Sequence, residues 1–156
     1  GCGKASVGET LAASSVYDYL DGDTLHSQSN IAKMSAGTAL TDADRWPWLG
    51  TIGLRFASSE TPLAIGCSAL KRSYREHILA QAKQPVIFIH LSGSKDLIAK
   101  RMSGREGHFM PTALLHSQFA DLEELSQDER GFVVSIDQTP HAIVASINTK
   151  LEALKP

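Results

Sequence analysis

The sequence has little of several features that mark particular classes of protein. Its 156 residues carry a formal net charge of -2 at pH 7, so there is no basic excess for nucleic acid or an anionic membrane surface. Two cysteines, Cys2 and Cys67, are too few for a disulfide framework and suit a reducing compartment. No apolar run approaches the roughly 20 residues that span a bilayer. We therefore expect a cytoplasmic protein with no nucleic-acid or membrane partner.

The first eight residues, Gly1-Cys2-Gly3-Lys4-Ala5-Ser6-Val7-Gly8, have the pattern of a phosphate-binding loop that runs into a helix. In the full pattern G-x-x-x-x-G-K-[ST], backbone N–H groups surround the phosphates, the lysine reaches the β- and γ-phosphates, and the hydroxyl binds Mg²⁺. Ala5 stands at the hydroxyl position, although Ser6 follows it. The opening glycine would precede Gly1, so we expect the biological protein to start earlier, with a strand. Alone, the pattern also fits a glycine-rich terminus that frays.

Helical and extended segments alternate through the rest of the chain. Apolar spacing and capping residues predict helices over residues 5–13, 29–35, 42–58, 71–82, 95–102, 112–125 and 141–154. Short apolar or alternating runs predict strands over residues 16–20, 62–67, 86–91 and 132–136. This alternation predicts a single α/β domain over residues 1–156, with a parallel sheet covered on both faces. Ligands of such sheets bind at the carboxyl ends of the strands.

Two acidic residues follow the first predicted strand, in the tripeptide Asp21-Gly22-Asp23. One carboxylate could hold Mg²⁺ through water while the other accepts a proton from a substrate hydroxyl. The alternative is an Asp-Gly turn with two solvated acids.

Basic residues follow the second predicted strand. Lys71 and Arg75 are four residues apart at the start of a helix, so they share a face and could bind a carboxylate or a phosphate. A solvated basic face is the alternative. Cys67, at the end of the strand, is interpreted as a packed side chain rather than a nucleophile.

Three further arginines are candidates for anion binding. Arg45 lies in the acidic start of the third predicted helix and could pair with an anion or with Asp44. Arg101 and Arg105 bracket a polar turn that resembles the closing loops of phosphoryl-transfer enzymes. A surface loop with ordinary salt bridges explains the last two equally well.

Taken together, these segments resemble the gluconokinase family of small P-loop kinases, which is related to shikimate and nucleoside-monophosphate kinases. The resemblance covers nearly the whole chain. Its motifs occur in order as Gly3-Lys4, Leu20-Asp21-Gly22-Asp23, Asn30-Ile31-Ala32-Lys33-Met34, Leu40-Thr41-Asp42-Ala43-Asp44-Arg45 with Pro47-Trp48-Leu49, Cys67-Ser68-Ala69-Leu70-Lys71 with Tyr74-Arg75, Arg105-Glu106-Gly107-His108-Phe109-Met110-Pro111, and Ser117-Gln118-Phe119.

The resemblance implies a three-layer α/β/α P-loop kinase fold with a central parallel sheet and a mobile lid over about residues 101–122. It implies ATP-dependent phosphorylation of D-gluconate to 6-phospho-D-gluconate with Mg²⁺, a reaction that feeds the pentose phosphate pathway, and it suggests a homodimer. The implied catalytic residues are Lys4, Asp23 and Arg105. The implied nucleotide-binding residues are Gly1, Cys2, Gly3, Lys4, Ala5, Ser6, Arg101, Arg105, Asp137 and Gln138. Those implied for gluconate are Asp23, Arg45, Lys71, Arg75, His108 and Gln118, and Asp21 would support the metal through water.

The sequence departs from the family pattern in two places, of which only the one at Ala5 bears on catalysis. Ala5 replaces the family's serine, so direct Mg²⁺ ligation at this position is in question. His26-Ser27-Gln28 replaces the family's usual His-Pro start of the next helix. The alternatives to an active gluconate kinase are a catalytically weakened protein that binds nucleotide or sugar acid, and a sister kinase for another small hydroxy acid.

Overall fold

Helices and strands alternate along the chain in the α/β order that the sequence predicts. The computed structural model describes residues 4–94, 96–98, 100 and 119–154. Its helices are α1 (Lys4–Ser14), α2 (Gln28–Ser35), α3 (Asp42–Ser58), α4 (Arg72–Ala82) and α5 (Pro140–Ala153). Its strands are β1 (Asp18–Asp21), β2 (Leu63–Gly66), β3 (Phe88–Ser92) and β4 (Gly131–Ser135), and a 3-10 turn covers Gly22–Leu25. Residues 96–98, 100 and 119–121 are also helical.

The strands form two parallel pairs. β1 lies beside β2 with Asp21 opposite Gly66, and β3 lies beside β4 with Phe88 opposite Gly131. Within the described residues no ladder of hydrogen bonds joins β2 to β3, so the expected central sheet is seen as two separate pairs. A cavity of about 760 Å³ is lined by residues of both β2 and β3. The strand expected before Gly1 lies outside the described residues.

Both faces of the strands are covered by helices, which gives three layers. In β2, Ala64 packs with the cluster that α1 and α5 form, whereas the next residue, Ile65, packs with the cluster of α3 and α4. In β3, Phe88 packs with the cluster of α3 and α4, and Ile89 packs with the cluster of α1 and α5. Successive strand residues point to opposite faces, so this division confirms a buried sheet layer between two helical layers. In the part of the chain that the structure describes, no helix is long and apolar enough to cross a membrane.

Helix α3 begins and ends where the sequence predicts. The Thr41 hydroxyl accepts a hydrogen bond from the Asp44 N–H at 3.1 Å, and the Asp44 carboxylate accepts one from the Thr41 N–H at 2.9 Å. This reciprocal capping box satisfies N–H groups that the first turn leaves unpaired. The helix starts at Asp42 although Pro47 lies inside it, so the later start that the proline allowed is not observed.

The helix predicted over residues 112–125 is wrong at its carboxyl end. The chain is helical at residues 119–121 and leaves the helix at Leu122. The Glu123 N–H donates to the Leu70 carbonyl at 2.7 Å, and the Glu124 carbonyl accepts from the Arg75 guanidinium at 3.4 Å. The main-chain groups of Glu123 and Glu124 therefore bond to α4 and to the loop before it, and not to a helix of their own. Residues 101–118, most of the predicted lid, lie outside the described residues.

Candidate active site

The carboxyl ends of β1 and β2 bring two of the predicted site segments together. Because Asp21 is opposite Gly66, the turn after β1 lies beside the loop that leaves β2. Gly22 is buried in this contact, and a Cβ at Gly22 would come within 2.5 Å of the Gly66 carbonyl oxygen and 3.1 Å of the Cys67 Cβ. The glycine of the Asp-Gly-Asp tripeptide is therefore needed for close packing of the two segments.

The Asp21-Gly22-Asp23 segment, which we call the acidic turn, is ordered by the Asp21 side chain and by helix α3. The Asp21 carboxylate accepts a hydrogen bond from the Asp23 N–H at 3.0 Å and so caps the 3-10 turn. The buried Trp48 indole donates its N–H to the Gly22 carbonyl at 2.8 Å. Both bonds fix the main chain on which Asp23 is carried, which is what a residue that orients a substrate hydroxyl needs.

The charges of Lys4 and Asp23 both affect the pKa of Cys67. Lys4 is the first residue of α1 and lines the same cavity as Cys67. Burial raises the pKa of the Cys67 thiol to about 11, with Lys4 opposing that rise and Asp23 adding to it. The thiol is protonated at neutral pH, which supports its interpretation as a packed side chain. The lysine that would reach the phosphates and the proposed proton acceptor thus lie near the same strand end.

Arg45, Lys71, Tyr74 and Asp42 form a second group of polar side chains, which we call the basic cluster. The Asp42 carboxylate accepts hydrogen bonds from the Tyr74 hydroxyl at 2.5 Å and from the Lys71 ammonium at 3.3 Å. These two donors hold the pKa of the Asp42 carboxyl below its usual value, and the bond to Asp42 raises the pKa of Lys71. The Lys71 and Arg45 cations lie 5.5 and 5.4 Å from the Tyr74 ring centroid. Two cations therefore converge on one aromatic ring.

Arg45 is the unusual member of this cluster. The residue is 5% exposed, and its Nε is buried without a hydrogen-bond partner among the described residues. A buried charged donor without an acceptor is costly, so such a group in a native protein calls for an explanation. A bound anion is the chemical species that would supply the missing acceptor.

His26 links the acidic turn to the helices behind it. Its ring stacks on Trp48 with centroids 4.0 Å apart and planes at 17°, and its Nδ1 lies 3.2 Å from the Asn30 amide nitrogen. Burial lowers the pKa of His26, and the Arg45 charge acts in the same direction while Asp23 opposes them. A neutral imidazole is therefore favoured at this position.

Comparison with known proteins gives the same family from sequence and from structure. The chain is 38% identical to a probable gluconokinase of Mus musculus, covering 99% of this chain and 93% of the relative. It is 41% identical to the thermoresistant gluconokinase of Escherichia coli (strain K12), covering 94% of this chain and 85% of the relative. The chain belongs to the gluconokinase family. No protein-family model matches it.

Two solved structures extend the gluconokinase likeness to three dimensions. A sugar kinase from Janibacter sp. HTCC2649, solved without ligand, superposes with a TM-score of 0.90 at 40% identity, covering 99% of this chain and 90% of that chain. A gluconokinase from Sinorhizobium meliloti 1021 superposes with a TM-score of 0.83 at 42% identity, covering 100% and 93%. The P-loop kinase fold expected from the resemblance is thereby confirmed.

The structure brings together some, but not all, of the site residues predicted for this gluconokinase family member. It brings Asp21 and Asp23 beside the loop that leads to Lys71, and it places Arg45 with Lys71. Asp137 and Gln138 follow β4, where the Gln138 amide donates to the Ser135 carbonyl at 2.8 Å. The predicted residues outside the described part of the chain are Gly1, Cys2, Gly3, Arg101, Arg105, His108 and Gln118.

Arg75 has a different environment from the one predicted for a gluconate ligand. It is 3% exposed, and its guanidinium forms an ion pair with Glu129 at 2.6 Å. Sequence reasoning missed Glu129 because the polar run around it looks like a surface turn. It also gave no role to Asp42 in the basic cluster, whose bonds to Tyr74 and Lys71 join residues far apart in sequence.

The acidic turn has the donors for a Mg²⁺ ion of the kind that kinases use. Among the residues that the structure describes, no three His, Cys, Asp or Glu side chains converge as a protein-only metal site. Mg²⁺ commonly keeps several waters and takes only one or two carboxylates together with substrate phosphates. Asp21 and Asp23, at the strand end near Lys4, fit that mode of binding.

Proposed function

We propose that this chain catalyses ATP-dependent phosphorylation of D-gluconate to 6-phospho-D-gluconate. The observation that carries the proposal is the buried Arg45, whose Nε has no partner in the described residues and whose guanidinium lies near the same Tyr74 ring as the Lys71 ammonium. A sugar acid brings a carboxylate, which is the acceptor that the Arg45 Nε lacks. Its hydroxyls would meet the acidic turn at the end of β1.

The carboxylate of gluconate would bind at the basic cluster. Asp42 already accepts bonds from Tyr74 and Lys71, so these donors are directed at a carboxylate in the unliganded protein. Asp42 is half exposed, with 49% of its side-chain surface accessible, and can give up the Lys71 bond at small cost. The substrate carboxylate would then accept hydrogen bonds from Lys71 and Arg45.

The primary hydroxyl at the other end of gluconate would face Asp23. Its attack on the γ-phosphorus forms the new P–O bond as the bond to the β-phosphate oxygen breaks, and the hydroxyl proton passes to a carboxylate. Asp23 is suited to accept that proton because its main chain is held by Asp21 and by the Trp48 bond to Gly22. Lys4 would neutralise charge on the transferred phosphate. When bound, Mg²⁺ would be held by Asp21 through water and would neutralise charge on the β- and γ-phosphates.

Substitution of Lys71 tests the substrate assignment. Lys71→Met should raise the KM for gluconate about 10- to 100-fold, since a hydrogen bond to a charged group contributes about 1.5–3 kcal/mol. The KM for ATP should change less than about twofold. Lys150→Met is the matched control, because Lys150 lies on α5 near Phe132, away from the basic cluster. An unchanged KM for gluconate in Lys71→Met would contradict the assignment.

A catalytically weakened binding protein is the second candidate, and Ala5 at the metal-hydroxyl position is what favours it. Such a protein would bind ATP or gluconate without turnover. A sister kinase would instead show turnover with another hydroxy acid, such as shikimate, and none with gluconate. A cytoplasmic homodimer stays a prediction from the family resemblance.

A further inference from the structure

All three nitrogens of the buried Arg75 guanidinium donate hydrogen bonds, and two of them form the ion pair with Glu129. Nε donates to Glu129 Oε1 at 2.6 Å, and Nη2 donates to Oε2 at 3.0 Å. Nη1 donates to the carbonyls of Ala69 at 2.9 Å and Leu70 at 3.3 Å. The side chains of Arg75 and Glu129 are only 4% and 9% exposed. With its donors engaged in this way, Arg75 is not arranged to receive a ligand.

What the pair holds is the main chain just before Lys71. Ala69 and Leu70 belong to the loop that leads from β2 to α4, and Lys71 is the N-cap residue just before α4. The Lys71 side chain makes no capping bond to its own helix. That side chain bonds instead to Asp42 at 3.3 Å, and the main chain that carries it follows directly on the two carbonyls that Arg75 holds.

A second set of bonds joins the same loop to the segment around Glu123. The Glu123 N–H donates to the Leu70 carbonyl at 2.7 Å, and the Glu123 carboxylate accepts from the Arg72 N–H at 2.9 Å. A carboxylate at the first N–H groups of a helix is stabilising because it meets unpaired donors and the positive end of the helix dipole. Residues 123–129, which we call the anchor segment, thus support the loop from outside it.

We propose that Arg75 and Glu129 are positioning residues, which hold the loop before Lys71 so that the Lys71 ammonium meets the substrate carboxylate. This inference rests on the proposed function, since it takes Lys71 as a ligand of the sugar acid. It differs from the prediction made from sequence, in which Arg75 itself contacts gluconate. Its effect on binding passes through Lys71.

The chain offers a matched control for this ion pair. Arg72 and Asp128 also join α4 to the anchor segment, one residue away from Glu129, at 2.5 Å. Their side chains are 40% and 65% exposed. Exposed pairs contribute little, so Asp128→Asn removes one charge from the same segment without disturbing a buried contact.

The test combines Glu129→Gln with Lys71→Met in a double-mutant cycle, using gluconate KM as the readout. Glu129→Gln alone should raise the KM for gluconate roughly 3- to 30-fold, within the range expected for coupled neighbours, with the KM for ATP within about twofold. In the Lys71→Met background, Glu129→Gln should raise the KM for gluconate less than about twofold, because the ammonium that the ion pair positions is no longer there. Glu129→Asp, which keeps the charge, should recover part of the loss. Asp128→Asn should match the unaltered protein.

Three results would overturn the inference while leaving the proposed function intact. These are an unchanged gluconate KM in Glu129→Gln, an equal increase with and without Lys71, and an equal rise in the KM values for gluconate and ATP. If Glu129→Gln does not fold, the same comparison made with Glu129→Asp and Arg75→Lys decides the matter. Failure of the proposed function is distinct, because the unaltered protein would then show no gluconate-dependent turnover.

Discussion

Trp48 offers a sharp prediction because one side chain supports both the core and the acidic turn. The residue is 3% exposed, and its ring stacks on His26 and donates its N–H to the carbonyl of the buried Gly22 at 2.8 Å. Trp48→Phe keeps an aromatic ring in the cluster of α3 and α4 but removes the donor. The Gly22 carbonyl would then be left buried without its partner.

The expected loss of stability follows from these two changes. An unsatisfied buried acceptor costs about 1–3 kcal/mol, and the smaller apolar surface of phenylalanine costs about 1 kcal/mol more. The free energy of unfolding should therefore fall by about 2–4 kcal/mol. For a protein of this size, each kcal/mol shifts the melting temperature by about 2–4 °C. Because Gly22 lies between Asp21 and Asp23, kcat should also fall, by roughly tenfold.

Urea unfolding and the steady-state rate, measured on the same preparations, check this prediction. Trp46→Phe is the control, since Trp46 lies on the same helix and packs edge-on against Tyr74, with ring centroids 5.6 Å apart. It should lose about 1 kcal/mol and keep its kcat. Equal losses in the two variants, or an unchanged kcat in Trp48→Phe, would refute the view that the indole N–H supports the turn.

Three further predictions concern helix packing, pH and the metal site. Gly53→Ala should destabilise the protein by about 1–3 kcal/mol, because its Cβ would come within 2.7 Å of the Ile78 carbonyl oxygen. Gly50→Ala, with 3.5 Å of clearance, should instead stabilise it by up to about 1 kcal/mol in the same unfolding assay. Burial lowers the pKa of His26 and of His90, so the unfolded chain binds protons first and stability should fall as pH drops below about 6.5; His26→Gln should make this loss smaller. Ala5→Ser should raise kcat if a missing Mg²⁺ ligand limits the rate, and an unchanged kcat would show that it does not.

The parts of the fold that depend on local sequence were predicted correctly. Helix α3 runs from Asp42 to Ser58 as expected, because Thr41 and Asp44 form their capping box within four residues. The acidic turn likewise follows β1, where the short alternating run ends. In both places the signal and the structure that it specifies are neighbours in the chain.

The parts that sequence reasoning missed depend on partners far away in the chain. Residues 122–125 have helical spacing, yet the chain leaves the helix at Leu122 and the Glu123 N–H bonds to Leu70, more than fifty positions earlier. Arg75 shares a helix face with basic neighbours and looked like a ligand, but its buried partner Glu129 is 54 residues away. No local sequence pattern distinguishes an arginine that binds an anionic ligand from one that forms an ion pair with a carboxylate of the same chain.

The most direct test of the proposed activity is ADP release by the full-length protein with ATP, Mg²⁺ and a panel of acceptors. We expect release that depends on D-gluconate, with shikimate and nucleoside monophosphates inactive. Calorimetry on the same preparation separates loss of chemistry from loss of binding. Turnover with another acid and none with gluconate, or no turnover together with no binding of gluconate, would contradict the account.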